Sequence, residues 1–272
     1  MLRGSFMHYA TGGPSLRALS LWLGRAKWRG LQVFYGAAIV VLLLLSFAPL
    51  WPFPNLLPPA WNSAAWAQVM ARPDALISSL VLAGLSCAIA IVLLIGWFEA
   101  RPERDDRLVL IISLAFLGLP AVLTGLGQYR LLLRLDLVAT ATGLLVAHLL
   151  PTTAYMFIML RGPYRAFDQR LHAAAQGLGA APGAFLLRVK WPLLKSPIAS
   201  ALAVGFAVSF AQYVPAQLVS AGRFTTLPIE AVTLASGGNR SLTAAFALLL
   251  MVPPLVAFVT AAWFGRPRWR DT

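Results

Sequence analysis

A chain of 272 residues that is 59% hydrophobic and only 11% charged, with a mean hydropathy of +0.75, lacks the polar surface of a soluble domain, in which about a quarter of residues are charged. A net charge of +13 would fit a nucleic-acid binder. The basic residues are not interleaved with aromatic ones and sort by loop, so nucleic acid is excluded as a partner. The single cysteine, Cys87, sits in an apolar run with no Cys or His at ligand spacing. It reads as a packed or lipid-facing thiol, not a disulfide or a metal ligand.

In chain order, residues 1–30 are basic and precede the first apolar run. That run is too long for a signal-peptide core, and the nearest small-residue site, Ser63–Ala67, lies well beyond it, so an uncleaved anchor is expected. Residues 15–29 read either as a basic amphipathic helix on anionic lipid or as a disordered tail. Six stretches then reach the roughly 20 residues needed to cross about 30 Å of hydrocarbon. They are Leu31–Trp51, Ala75–Phe98, Leu108–Gly127, Val138–Leu160, Pro197–Leu218 and Ser241–Phe264. None alternates apolar and polar residues as a barrel strand would. The fold class is therefore all-α: a polytopic membrane bundle of about six helices in one domain, residues 31–264.

The loops orient it. With the N-terminus inside, segments 1–30, 99–107, 161–196 and 265–272 carry 17 Lys/Arg, whereas the outer loops carry five: Arg72, Arg130, Arg134, Arg223 and Arg240. This is the positive-inside asymmetry, with both termini cytoplasmic at a bacterial plasma membrane. Trp22, Trp28, Trp97, Trp191, Trp263 and Trp269 fall near the inner boundary and Trp51, Trp61 and Trp66 near the outer one. No tryptophan lies mid-span, as an aromatic belt requires. The outer Trp51–Trp61 loop has four prolines, which forbids a regular helix or a central strand.

The six spans contain no Asp, Glu, Lys or Arg, so the usual markers of a proton or ion pathway are missing. None of the three lysines, Lys27, Lys190 and Lys195, follows a glycine, so there is no phosphate-binding loop to supply energy. Nor is there a metal-protease pair or a nucleophile elbow. No catalytic residue, metal site or cofactor is expected, and the chain does not read as an enzyme. His148, Gln212, Tyr213 and Gln217, with Gln128, are the polar groups available to line a pore; helix packing and interfacial bonding are the competing uses of the same residues.

The segment 161–196 has a pattern of its own. Ala166–Leu178 reads as a short helix, Gly177 and Gly179 as its stop, and Pro182 as the first turn of a second helix through Val189, ended by Trp191-Pro192. Ala173, Ala174 and Ala175 form a small-residue face. Such a face suits a helix seated in a groove of another protein; an amphipathic hairpin resting on lipid fits the pattern equally.

From Ala173 to Pro192 the segment resembles the cytoplasmic coupling loop of ATP-binding-cassette (ABC) importer permeases. The family pattern is Glu-Ala-Ala, three residues, Gly, nine residues, Ile, one residue, Leu-Pro. Ala174, Ala175, Gly179 and Pro192 match in register, Val189 stands for Ile, and Ala181-Pro182 fits the common form. Ala173 replaces the Glu and Trp191 the Leu. Weaker likeness extends over Phe53–Trp61, Ser79, Gly118–Pro120, Gly125–Gly127, His148–Pro151 and Arg223–Arg240. It points to the branch handling polyamines, ferric iron and thiamine, and the last stretch is similar to the C-terminal half of a thiamine-type double-length permease. The resemblance implies a cytoplasmic ABC ATPase docked on the loop, a second permease subunit or homologous half, and a periplasmic solute-binding protein, all within membrane lipid. The alternative is a secondary transporter or channel that works without ATP.

Overall fold

The computed structural model describes residues 14–52, 54–100 and 105–266, with the backbone alone for 14–28. Residues 1–13 of the expected 1–30 segment, 267–272 of the tail, the side chains of Trp22 and Trp28, and Phe53 lie outside the described residues. The described residues are helical, without a strand. Five helices are long and apolar enough to cross a membrane, or six if one bent pair is counted as a single crossing.

Helix α1 (Pro14–Ser46) covers both the basic 15–29 stretch and the first apolar run in one continuous helix. It stops at Ser46, five residues before Trp51, as prolines 49 and 52 approach. The short α2 (Ala64–Met70) follows the irregular proline loop, and α3 (Pro73–Ala100) makes the second crossing. The third expected span is corrected: α4 (Arg107–Gly118) and α5 (Ala121–Arg134) meet at 112°. Pro120 causes the break. It forces Leu119 into an extended conformation (φ −79°, ψ 145°) and cannot donate to the helix before it.

Helix α6 (Ala141–Arg165) starts at Thr140, whose Oγ1 accepts from the Gly143 amide at 3.0 Å. After the short α7 (Arg170–Gly177), the chain runs as α8 (Pro182–Phe185), a π segment (Leu186–Lys190) and α9 (Trp191–Phe210) without interruption. Helices α10 (Val214–Ser220) and α11 (Leu227–Ser236) fold at the far end, where the fifth span had been expected to continue to Leu218. Helix α12 (Arg240–Phe264) is the last crossing, capped by the Asn239 side chain on the Leu242 amide.

Helices α3, α6, α9 and α12 form the centre of the bundle, with α1 laid against α12. Hydrocarbon supplies no hydrophobic drive for helices to associate, so close approach and dispersion must do it. The buried faces accordingly carry small residues: Ala83, Ala90, Ala147, Ala201 and Ala245 are fully enclosed. Val92, Leu93, Ile111, Val256 and Val259 point outward. Gly205 of α9 lies so close to α6 that a Cβ there would come within 2.5 Å of Met156 Sδ.

The tightest packing is at the start of α6, where a Cβ on Gly143 would overlap the Leu137 carbonyl. Gly143→Ala should therefore lower the thermal unfolding midpoint by several degrees, a cost of about 2 kcal/mol or more. Gly84→Ala, which meets nothing within 4 Å, should leave it unchanged or slightly raised. Equal midpoints for the two variants in the same detergent would refute the packing assignment.

Candidate functional site

The hairpin from Arg165 to Pro192 is built by local rules. Asp168 Oδ1 accepts from the Arg170 amide at 2.9 Å, so α7 begins at Arg170 and not at the expected Ala166. At its other end Gly179 takes φ +75°; its amide donates to Gln176 at 2.9 Å, and the Ala180 amide to Ala175 at 3.0 Å. These two bonds make a Schellman stop with glycine in the left-handed position. Pro182 then opens α8 in its first turn. Phe185 is buried beneath the hairpin, with its ring centroid 4.8 Å from His172 and 6.2 Å from Phe167.

The second hairpin helix does not end at Trp191-Pro192 as expected; it continues as α9. Pro192 would clash with the carbonyl four residues back in a regular helix. The π segment Leu186–Lys190 sits where that clash falls and relieves it by widening the turn. Ala173, Ala174, Gly179, Ala181, Pro182 and Pro192 are exposed, Ala175 and Val189 half-buried. Leu178, at the tip, is 88% exposed.

Two carboxylates, in three ion pairs, fasten this end of the bundle. Glu99, at the end of α3, accepts from Lys190 Nζ at 2.7 Å and from the Trp191 indole at 3.3 Å. Lys190 is buried and also lies over the Tyr164 and Phe167 rings, 5.2 and 5.5 Å from their centroids. Asp106, just before α4, accepts from Arg161 Nε at 3.0 Å and from Arg165 through both carboxylate oxygens. Burial tends to raise the Asp106 pKa, but the hydrogen bonds and charges of Arg165 and Arg161 outweigh it and hold the carboxyl below its ordinary value. None of these partnerships was anticipated. The available signal was scarcity: in a chain with nine acidic residues, Glu99 and Asp106 flank the same short loop.

Deeper in the bundle, His148 Nδ1 and Ser209 Oγ share a hydrogen bond of 3.0 Å between α6 and α9. One turn along α9, just past its end, Gln212 Nε2 donates to the Ala147 carbonyl at 2.8 Å. The other faces of these groups are unsatisfied: His148 Nε2, Gln212 Oε1 and both amide atoms of Gln128 are buried with no partner among the described residues. Tyr213 caps α10 and packs against the cluster of Leu144, Ala216 and Ile229, and Gln217 is exposed. The structure thus brings His148 and Gln212 together at one helix interface and leaves Gln217 apart.

Comparison with known proteins gives this arrangement a context. The inner membrane ABC transporter permease protein YnjC of Escherichia coli (strain K12) is 39% identical over 199 residues, 72% of this chain and 38% of its own length. The putrescine transport system permease protein PotI of the same strain is 28% identical over 266 residues, 88% of this chain and 91% of its own. The chain is a homologue of inner-membrane ABC transporter permeases. Its fold matches a chain in the crystal structure of a bacterial ABC transporter involved in the import of the acidic polysaccharide alginate. That match has a TM-score of 0.59 at 15% identity, over 94% of this chain and 99% of the other. No protein-family profile matches. Against the permease loop pattern, Trp191 now has a physical use, since its indole donates to the carboxylate that also holds Lys190. Ala173, in place of the pattern's Glu, is exposed and makes no side-chain bond.

Glu99→Gln leaves the Lys190 ammonium buried without its carboxylate, and breaking one side of such a pair costs about 3 kcal/mol. The double variant Glu99→Gln, Lys190→Met should recover at least half of that loss. No recovery in thermal unfolding would show that the two groups do not act as a pair. For Asp106 the folded pKa lies below the unfolded one, so its contribution is present at neutral pH and fades as pH falls below about 4. Asp106→Asn should lower stability at pH 7 and flatten its decline towards pH 3; parallel pH profiles for variant and wild type would contradict this.

Proposed function

We propose that this chain is one membrane half of an ATP-driven importer, carrying a small polar solute and coupled through the Arg165–Pro192 hairpin to a separate ATPase subunit. The observation that carries the reading is the hairpin itself. It is exposed at its tip, held by glycine and proline in a fixed turn, and continuous with a helix that crosses the bundle. A groove on the ATPase would take the Ala173–Ala175 face and Leu178. Closure of two ATPase subunits around bound ATP then displaces α8, and the displacement passes along α9 to the interface with α6. ATP and the loaded binding protein act by favouring one of two states, not by new chemistry in this chain.

The rest of the reading follows from this. Both termini and the hairpin face the cytoplasm, in keeping with 17 basic residues on that side against five. A second permease half completes the pathway. A periplasmic binding protein delivers the solute at the opposite end, where Arg223 and the α10–α11 connection are exposed. His148, Gln212 and Gln128 line the route when it opens, which would give their unsatisfied atoms water or solute as partners. The polyamine, ferric-iron and thiamine branch supplies the candidate solutes, and putrescine, in the name of PotI, is a polyamine. The Arg223–Arg240 stretch is not a loose docking loop, because Leu227, Ile229 and Ala231 of α11 are buried. Docking there is better probed by point changes than by deletion.

The test uses affinity-tagged chain expressed in its own host. Leu178→Asp should insert and unfold like wild type, because Leu178 is exposed; Gly179→Val should insert but strain the turn, because Gly179 has a φ of +75°. Valine cannot hold the left-handed conformation cheaply, at about 1–2 kcal/mol. Both variants should lose at least tenfold of the ATPase activity that co-purifies with the wild type. Undiminished activity in both, or transport by the purified chain alone in liposomes, would overturn the coupling reading.

A further inference from the structure

At the end of the bundle opposite the hairpin, a cleft of about 670 Å³ lies between the Pro49–Pro52 loop, α2 and the start of α12. Its polar lining is Asn62, Gln68, Asn239, Arg240 and Ser241. A second cavity of about 470 Å³, lined by Leu42, Leu45, Ala235, Thr243, Ala244 and Ala247, adjoins it and shares Gly238 and Arg240 with it. One end is polar, the other nearly all apolar, and Arg240 borders both.

The chemistry of the polar end is that of a donor set. Arg240 is exposed and has no acidic partner among the described residues, and no Asp or Glu lines the cleft. Asn239 Oδ1 accepts from the Leu242 amide and Asn62 Oδ1 from the Ala64 amide. The oxygens of these two amides are thus engaged and their NH₂ groups remain as donors, while Gln68 can turn its own amide to donate. A cation and two amide donors with no carboxylate select an anion.

Depth and position identify what carries that anion. Helix α12 has 25 residues, about 37 Å at 1.5 Å per residue against a hydrocarbon core of about 30 Å, which sets Arg240 at headgroup level. Trp51 lines the cleft, and Trp66 is tied to Ser46 at the end of α1 by a 3.1 Å hydrogen bond, a placement that suits the membrane boundary. The apolar cavity is bordered by α1, of whose apolar window only 6% is buried, so it lies at the outer edge of the bundle, within reach of an acyl chain.

We infer that this cleft is a binding site for one anionic phospholipid, with its phosphate at Arg240 and Asn239 and an acyl chain along Leu42, Leu45 and Ala247. The site joins α1 to α12 and does not depend on transport activity or on which way the chain faces.

The experiment is a titration of delipidated full-length chain in neutral detergent, read by native mass spectrometry. The probes are phosphatidylglycerol, phosphatidylcholine with the same acyl chains, and glycerol phosphate. One phosphatidylglycerol should bind saturably and roughly fivefold or more tighter than phosphatidylcholine. Arg240→Gln should abolish the preference, and Arg223→Gln, outside the cleft, should keep it. Ala235→Trp, an exposed position lining the apolar cavity, should weaken phosphatidylglycerol binding while unfolding as wild type does. Equal binding of the two lipids, or an unchanged preference in Arg240→Gln, would overturn the proposal. So would glycerol phosphate binding as tightly as the lipid, which would make this a plain anion site, or tight lipid binding by Ala235→Trp.

Discussion

A peptide group in hydrocarbon has no solvent to bond with, and the rest of this structure is arranged around that constraint. It makes the spans helical, keeps charges out of them and, apart from the break at Pro120, leaves the irregular backbone at the two ends. What remains for specificity inside the bundle is a handful of polar side chains and the small residues that let helices touch. His148 is an example. Placed between α6 and α9, it satisfies one ring nitrogen on Ser209 and leaves the other bare. A buried polar atom without a partner costs about 1–3 kcal/mol, which the packing of α6 on α9 must offset.

The two ends solve different problems. The end with Glu99 and Asp106 holds buried charge in compensated pairs, each carboxylate serving two donors from elsewhere in the bundle. These pairs bind α3 to the start of α9 and α4 to the end of α6, so the hairpin emerges from a fixed base. The opposite end is built of short helices and side chain to backbone bonds, such as Ser79 Oγ accepting from the Leu227 amide at 2.7 Å. Among the described residues its one ion pair, Arg72 with Glu230, lies at the surface, where such pairs contribute little.

Much of this was legible in the amino-acid order, because hydropathy over 20 residues and local stop signals need no tertiary information. The boundaries of α3 and α12 fall within two residues of expectation, and the stop at Gly179 was readable from glycine followed by proline. Prolines were harder. Pro120 breaks its helix, whereas Pro192 is absorbed by a π turn, and nothing local distinguishes the two cases. What decides is whether neighbouring helices hold the chain in line, which residues 180–200 alone do not reveal. The Glu99–Lys190 pair was illegible for a similar reason, since its members are 91 positions apart. The homology with ABC permeases agrees with the loop pattern that the residues carried.

The unbroken helix from Pro182 to Phe210 has a mechanical consequence. Its twenty α9 residues span about 30 Å at 1.5 Å each. Fixed at one end by Lys190 and Trp191 on Glu99, it behaves as a rod on a pivot. A tilt of about 6° at the pivot moves the far end by about 3 Å, a full hydrogen-bond length. Ser209 sits at that far end, so a rotation too small to disturb the pivot is enough to part it from His148.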